Sequence, residues 1–254
     1  MKRNLFFICL IFWPITVFGA EFSGEQLLQR SQTAYASLTS YIGTATVNSA
    51  HVMNGALFTQ SAIAKVTFLS PDRIRIEGKD SGGRAFVIIS DAGAAWVSWE
   101  FKNRGAFEQA ENLEAAVASM TGVASGAPTI IPAALMKLKW GFPFAPSGSA
   151  SAVARENISG IDCYKVSVSQ PERKITYWVD TRSYLLRQMK DEQDEKQNVE
   201  MQKMIERQMG EALKQAGIPL SAVAITSMEV THSFIIEGIN VPIDPELFRD
   251  PTRN

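Results

Sequence analysis

Histidine and cysteine are almost missing: the 254 residues contain two of each. Neither His51 nor His232 belongs to a metal-ligand spacing such as H-E-x-x-H, and no C-x-x-C is present. A G-x-S-x-G elbow, a phosphate loop, a dinucleotide fingerprint and an alternating acidic calcium loop are absent as well. These absences remove the ordinary routes to metal, nucleophilic and cofactor chemistry, so the chain reads as a non-enzyme without cofactor or metal, a hydrolase being the least favoured class. An excess of charge of either sign is also lacking, with 25 basic against 26 acidic side chains. Removing Lys2 and Arg3 with a leader takes the net charge from -1 to about -3, which leaves no basic surplus for a phosphate backbone and excludes nucleic acid as a partner. With 46% hydrophobic and 20% charged residues, the chain is neither a disordered polyampholyte nor a spanning membrane protein.

What is present begins with MKRNLFFICLIFWPITVFGA, where Lys2 and Arg3 precede an apolar run from Leu5 to Phe18 and Val17-x-Gly19 offers a small-residue cleavage signal. The pattern predicts a secretory leader over residues 1–19 and one exported domain over 20–254. The run is shorter than the ~20 residues a membrane span needs, and Pro14 interrupts it. Cys9 follows Phe6-Phe7-Ile8, which lacks the small residues of a lipid attachment site, so it leaves with the leader. Cys163 then stands alone as a small apolar group, and stability rests on a core without an internal disulfide.

Ser23-Gly24-Glu25-Gln26 reads as a capping box opening a helix of about four turns. From Tyr41 to Trp99 the apolar period changes to two, as in Ala62, Ala64, Val66 and Phe68 or Ile74 and Ile76. Breaks at Asn54-Gly55, Ser70-Pro71-Asp72, Ser81-Gly82-Gly83 and Asp91-Ala92-Gly93 are too short for parallel crossovers, so the strands run antiparallel. Helical spacing predicts helices over 108–120 and 131–140, and strands resume over 151–158, 163–169, 174–179 and 184–189. A long helix is predicted over 191–217, with Asp191, Glu192, Asp194 and Glu195 crowding its start and Gly217 and Pro219 closing it. A last strand or pair over 223–236 precedes an extended terminal segment, Val241 to Phe248.

The informative residues are apolar. Phe68, Ile74, Ile76, Phe86, Ile88, Trp96 and Trp178 supply large side chains from successive strands and predict one continuously apolar sheet face. That face is either a core under the helices or the lining of a curved sheet that holds an apolar ligand. On the 191–217 helix, Met201, Met204, Ile205, Met209 and Leu213 share a side, which suits a lid or docking element and equally suits packing on the sheet.

The succession of Ser70-Pro71-Asp72-Arg73-Ile74-Arg75, Val87-Ile88-Ile89-Ser90-Asp91-Ala92-Gly93-Ala94-Ala95-Trp96 and Pro242-Ile243-Asp244-Pro245-Glu246-Leu247-Phe248, with the N-terminal helix ahead of it, resembles the LolA/LolB-like family of periplasmic lipoprotein carriers. Gly160-Ile161-Asp162-Cys163-Tyr164-Lys165-Val166 before Tyr177-Trp178-Val179-Asp180-Thr181 is similar to the outer-membrane lipoprotein-sorting branch. The resemblance implies an α+β fold: a curved, unclosed antiparallel β half-barrel with covering helices, the 191–217 helix being an insertion. It further implies a periplasmic carrier or binding protein for an acyl chain of a lipid or lipoprotein, acting without catalysis and handing over to a membrane or envelope protein. A ligand-sensing half-barrel of the envelope is the alternative it leaves open. Ser70 stands where the carriers have arginine before proline, so their acyl-handling arginine has no counterpart here.

Overall fold

A computed structural model of the chain describes residues 22–53, 56–121, 126–138, 148–170, 173–193, 203 and 225–252. The leader expected over 1–19, and Met201, Met204, Ile205, Met209 and Leu213, lie outside the described residues.

Helix α1 (Gly24–Ala36) begins at the expected capping box: the Ser23 hydroxyl accepts the Gln26 N–H while the Gln26 carboxamide oxygen accepts the Ser23 N–H. Six strands follow, β1 (Ser40–Met53), β2 (Ala56–Leu69), β3 (Arg73–Lys79), β4 (Ala85–Asp91), β5 (Ala94–Trp99) and β6 (Phe107–Ala110), with a single helical turn α2 (Glu100–Asn103) before the last. Helices α3 (Leu113–Thr121) and α4 (Ile130–Met136) separate them from β7 (Ser149–Ala150), β8 (Ala154–Ile158), β9 (Ile161–Gln170), β10 (Arg173–Asp180), β11 (Leu186–Gln193) and β12 (Ile225–Ile239). A 3-10 turn, Pro245–Phe248, follows.

All twelve described strands form one antiparallel sheet in the order β6-β5-β4-β3-β2-β1-β12-β11-β10-β9-β7, with β8 beside β9. The chain lays down two meanders, and β12 enters between β1 and β11 to join them. The ends of the sheet do not meet, so the fold is α+β, an unclosed antiparallel sheet with helices on one face.

Two expected helices differ from the structure. Residues 108–110 belong to β6 because Gln109 pairs with Trp96 at the sheet edge, and the helix starts only at Leu113, with the Asn112 side chain accepting the Ala115 N–H. Asp191 and Glu192, read as a helix start, instead continue β11, where Asp191 finds Arg173 on the neighbouring strand. Gln193 ends β11, and of residues 194–217 only Lys203 is described, as helix.

Candidate functional site

Strand register decides which side chains share a face, because residues opposite one another across an antiparallel pair project the same way. Phe68 opposes Ile74, Ile76 opposes Ile88 and Phe86 opposes Trp99. Through β1 and β12 the same face continues with Ala45, Val47 and Phe234, and then with Tyr177, Val179, Val166 and Val168. These residues and α1, α3 and α4 form one core cluster, so this is the helix-covered face. Five of the seven residues singled out from the sequence, Phe68, Ile74, Ile76, Phe86 and Ile88, lie together on it.

Trp96 and Trp178 do not. The turn between β4 and β5 has left-handed dihedrals at both central residues, Ala92 (φ 49°) and Gly93 (φ 89°), and so pairs Asp91 with Ala94. That register sets Trp96 opposite Ile89 on the outer face and leaves Ala95, Val97 and Trp99 on the covered one. Trp178 alternates with Tyr177 and Val179, opposes Lys165 across β9, and has the Lys165 amine 5.3 Å from its ring centre. Both indoles are thus part of the outer side of the sheet.

The covered face opens to solvent at a cleft of about 380 Å³ between the β4–β5 turn, α3 and α4. Leu113, Met136 and Leu138 line it with Asn112 and Glu114, and Ser90, 1% exposed and on the covered face, forms its inner end. A second, larger groove of about 960 Å³ lies on the outer face between β3, β4 and the terminal segment. Its charges are already matched within the fold: Arg75 bonds Glu77 and the Leu247 carbonyl, and Arg249 bonds Glu246.

Polar groups interrupt the covered face near the outer ends of β10, β11 and the facing part of β12. Arg173 donates from Nε to Oδ1 of Asp191 at 2.8 Å and from Nη2 to Oδ2 at 2.5 Å, a two-point pair whose carboxylate is 7% exposed. His232, 5% exposed, opposes Met189 and Val47 and stacks on Phe234 at 6.2 Å. Burial pushes its imidazole down to about 4, against an opposing pull from Asp191. Among the described residues, His232 Nδ1 and Gln193 Oε1 are buried without a hydrogen-bond partner. Neither shortage was legible in the sequence, where His232 is one more residue of a strand.

The remaining chemistry-bearing groups are committed elsewhere. The His51 ring stacks on Phe58 at 5.8 Å. Cys163 is fully buried, and burial with the nearby Asp180 carboxylate pushes its thiol up to about 11, away from thiolate reactivity. Among the described residues no group of three histidine, cysteine or acidic side chains is arranged to hold a metal, and no helix is long and apolar enough to cross a membrane.

Neither a family model nor a curated protein matches the sequence. Among solved structures the chain is similar to LprF from Mycobacterium bovis, at 16% identity and a TM-score of 0.46 over 90% of this chain and 96% of that one. It is similar to the lipoprotein LppX of Mycobacterium tuberculosis at 12% identity and a TM-score of 0.43, over 87% and 97% of the two chains. A LolA superfamily protein from Nitrosomonas europaea matches at 11% identity and a TM-score of 0.32, over 90% and 98%.

Proposed function

We propose that the protein is a periplasmic carrier or binding protein that holds the acyl chain of a lipid or lipoprotein against the covered face, by burial and without a catalytic step. The observation that supports this reading most directly is the apolar face itself, which runs across nearly the whole sheet under α1, α3 and α4, with an open cleft at its Ser90 edge. The cleft's volume of about 380 Å³ falls in the range of small-molecule sites, and Leu113, Met136 and Leu138 supply its apolar lining. Each methylene taken from water contributes about 0.8 kcal/mol, so roughly ten would give ~8 kcal/mol before ordering costs.

Native mass spectrometry of protein purified from an exporting host, followed by solvent extraction, tests the reading. The expected result is a bound acyl compound that extraction removes and a fluorescent acyl probe replaces. A ligand-free mass together with no probe binding at micromolar concentration overturns it.

A further inference from the structure

The cleft at the Ser90 edge of the covered face is one-sided in charge. Asp72 and Glu114 are the charged side chains that line it, both are acidic, and no lysine or arginine joins them. Lys137 follows Met136 in sequence but is exposed and stands outside the lining, and Arg73, beside Asp72, gives its Nε hydrogen to Asp91. Two of the lining groups have hydrogen-bonding capacity that the described fold leaves unused. Ser90 is 1% exposed, and its hydroxyl neither gives a hydrogen bond to nor takes one from any described residue. The Asp72 carboxylate, half-buried, accepts no hydrogen bond and pairs with no described cation. A hydroxyl this deeply enclosed is ordinarily bonded.

Register sets these two groups close together. Ser90 opposes Ile74 across β3 and β4, and Asp72 lies two residues before Ile74, so the two side chains enter the same cleft from backbones roughly 8 Å apart. Two hydrogen bonds of about 2.9 Å made by one nitrogen span about 6 Å, which brings a single donor atom within reach of both. A carboxylate only accepts and a hydroxyl can accept, so the group that meets both must donate twice. A primary ammonium has three N–H groups and the charge opposite to Asp72. A carboxylate or phosphate head would add negative charge to a lining that has no cation, and an ester has no donor. The helix end that would draw an anion is already served, because the Asn112 side chain caps α3 and Glu114 stands in its first turn.

We propose that Asp72 and Ser90 form a head-group site for an acyl or alkyl compound whose head carries a primary ammonium. The proposal rests on the acyl-binding reading above and adds a head-group selectivity to it. The nitrogen donates to the Asp72 carboxylate and the Ser90 hydroxyl, and the start of the chain lies against Leu113, Met136 and Leu138.

Displacement of a fluorescent acyl probe by dodecylammonium, dodecyltrimethylammonium, dodecanol and laurate, each below its aggregation threshold, tests the site. Wild-type protein should bind dodecylammonium about tenfold more tightly than laurate, with the trimethyl compound, which keeps the charge but has no N–H, in between. Asp72→Asn should weaken both cations roughly threefold and leave dodecanol unchanged, and Ser90→Ala should weaken dodecylammonium but not its trimethyl form. Asp162→Asn removes the same charge from β9, near the other edge of the sheet, and should alter none of the affinities. S-dodecylcysteinylglycinamide, whose ammonium belongs to a peptide, separates the sources of the head: tighter binding than dodecylammonium assigns it to an acylated peptide, weaker binding to an amine-bearing lipid. Laurate bound as tightly as dodecylammonium, a cation preference that survives Asp72→Asn or falls equally in Asp162→Asn, or a dodecylammonium affinity unchanged by Ser90→Ala overturns the proposal and leaves the acyl reading standing. Failure of every compound to bind overturns the acyl reading itself. The wild-type ratios decide the matter even if a variant does not fold.

Discussion

Removing the buried imidazole changes how stability responds to pH. In the unfolded chain His232 titrates near its ordinary 6.5, whereas in the fold burial holds it to about 4. Between those values the unfolded chain takes up a proton that the folded chain refuses, so stability falls as pH is lowered through this window and is fully present above it. The full difference amounts to about 3 kcal/mol, of which about 1.3 kcal/mol is lost between pH 7.5 and 5.5. Asp191, paired with Arg173, is the charged group that faces the imidazole and pulls the other way. Asp80 and Asp180 add their own acid dependence at lower pH. Burial raises both carboxyls, but the Arg84 and Gly82 N–H groups and the Trp99 indole at Asp80, and the Arg182 N–H and Arg187 guanidinium at Asp180, outweigh it and hold them below the usual range. Urea denaturation followed by tryptophan fluorescence at pH 7.5, 6.5 and 5.5, on wild type and His232→Leu, isolates the imidazole. The wild-type curve should fall by about 1 kcal/mol more than the variant's, and the variant should be at least as stable at pH 7.5, since leucine leaves no unpartnered nitrogen. Parallel curves would show that His232 is not held neutral by burial and would refute the reasoning.

Asp80, 2% exposed, accepts from the Gly82 and Arg84 N–H groups, the Arg84 side chain and the Trp99 indole, so Asp80→Ala should cost about 3 kcal/mol or more in urea denaturation. Arg173→Met strands the Asp191 carboxylate and should cost roughly 2 kcal/mol, less than a fully enclosed pair because Arg173 keeps some solvent; Asp191→Leu in the same background should recover part of it. Gly24→Leu places a Cβ 2.6 Å from Val166 Cγ2 and 2.7 Å from the Ser151 carbonyl, and should destabilise by roughly 1–3 kcal/mol as α1 is pushed off β9, read by thermal melting. Phe86→Ala and Trp96→Ala should each lower stability by about 3 kcal/mol, but only the covered-face Phe86→Ala should also weaken acyl-probe binding; equal binding losses would contradict the face assignment.

The parts of this structure that were legible are those set by neighbours in sequence. The capping box at Ser23, the period-two runs and the short turns are local, and each specifies its element directly. Parity within a strand is equally local, which is why Ile74 with Ile76, or Phe86 with Ile88, could be placed together. Parity across a turn is not: one residue more or less between Asp91 and Ala94 would exchange the faces of Trp96 and Val97. The same limit explains β11. Two acidic residues in a row suit a helix start, and only the arrival of Arg173 from a strand 18 residues earlier makes Asp191 a partner in a sheet. Hydrogen-bond shortage at His232 and Gln193 is a property of the packed surroundings and has no signature in either residue's own segment.

The last of the described strands in sequence, β12, lies in the middle of the sheet beside β1. Until β12 has been made, no described ladder joins β1 to β11, and the two meanders remain separate sheets with raw edges facing each other. Completion requires contacts across nearly the full sequence, from Tyr41 to Ile239, which places this protein among slow, long-range folders. A chain interrupted before residue 225 would present β1, 14 residues long, as an unprotected template for pairing with other chains. The order of synthesis thus acts as a timer, keeping the two meanders unjoined until β12 has been made.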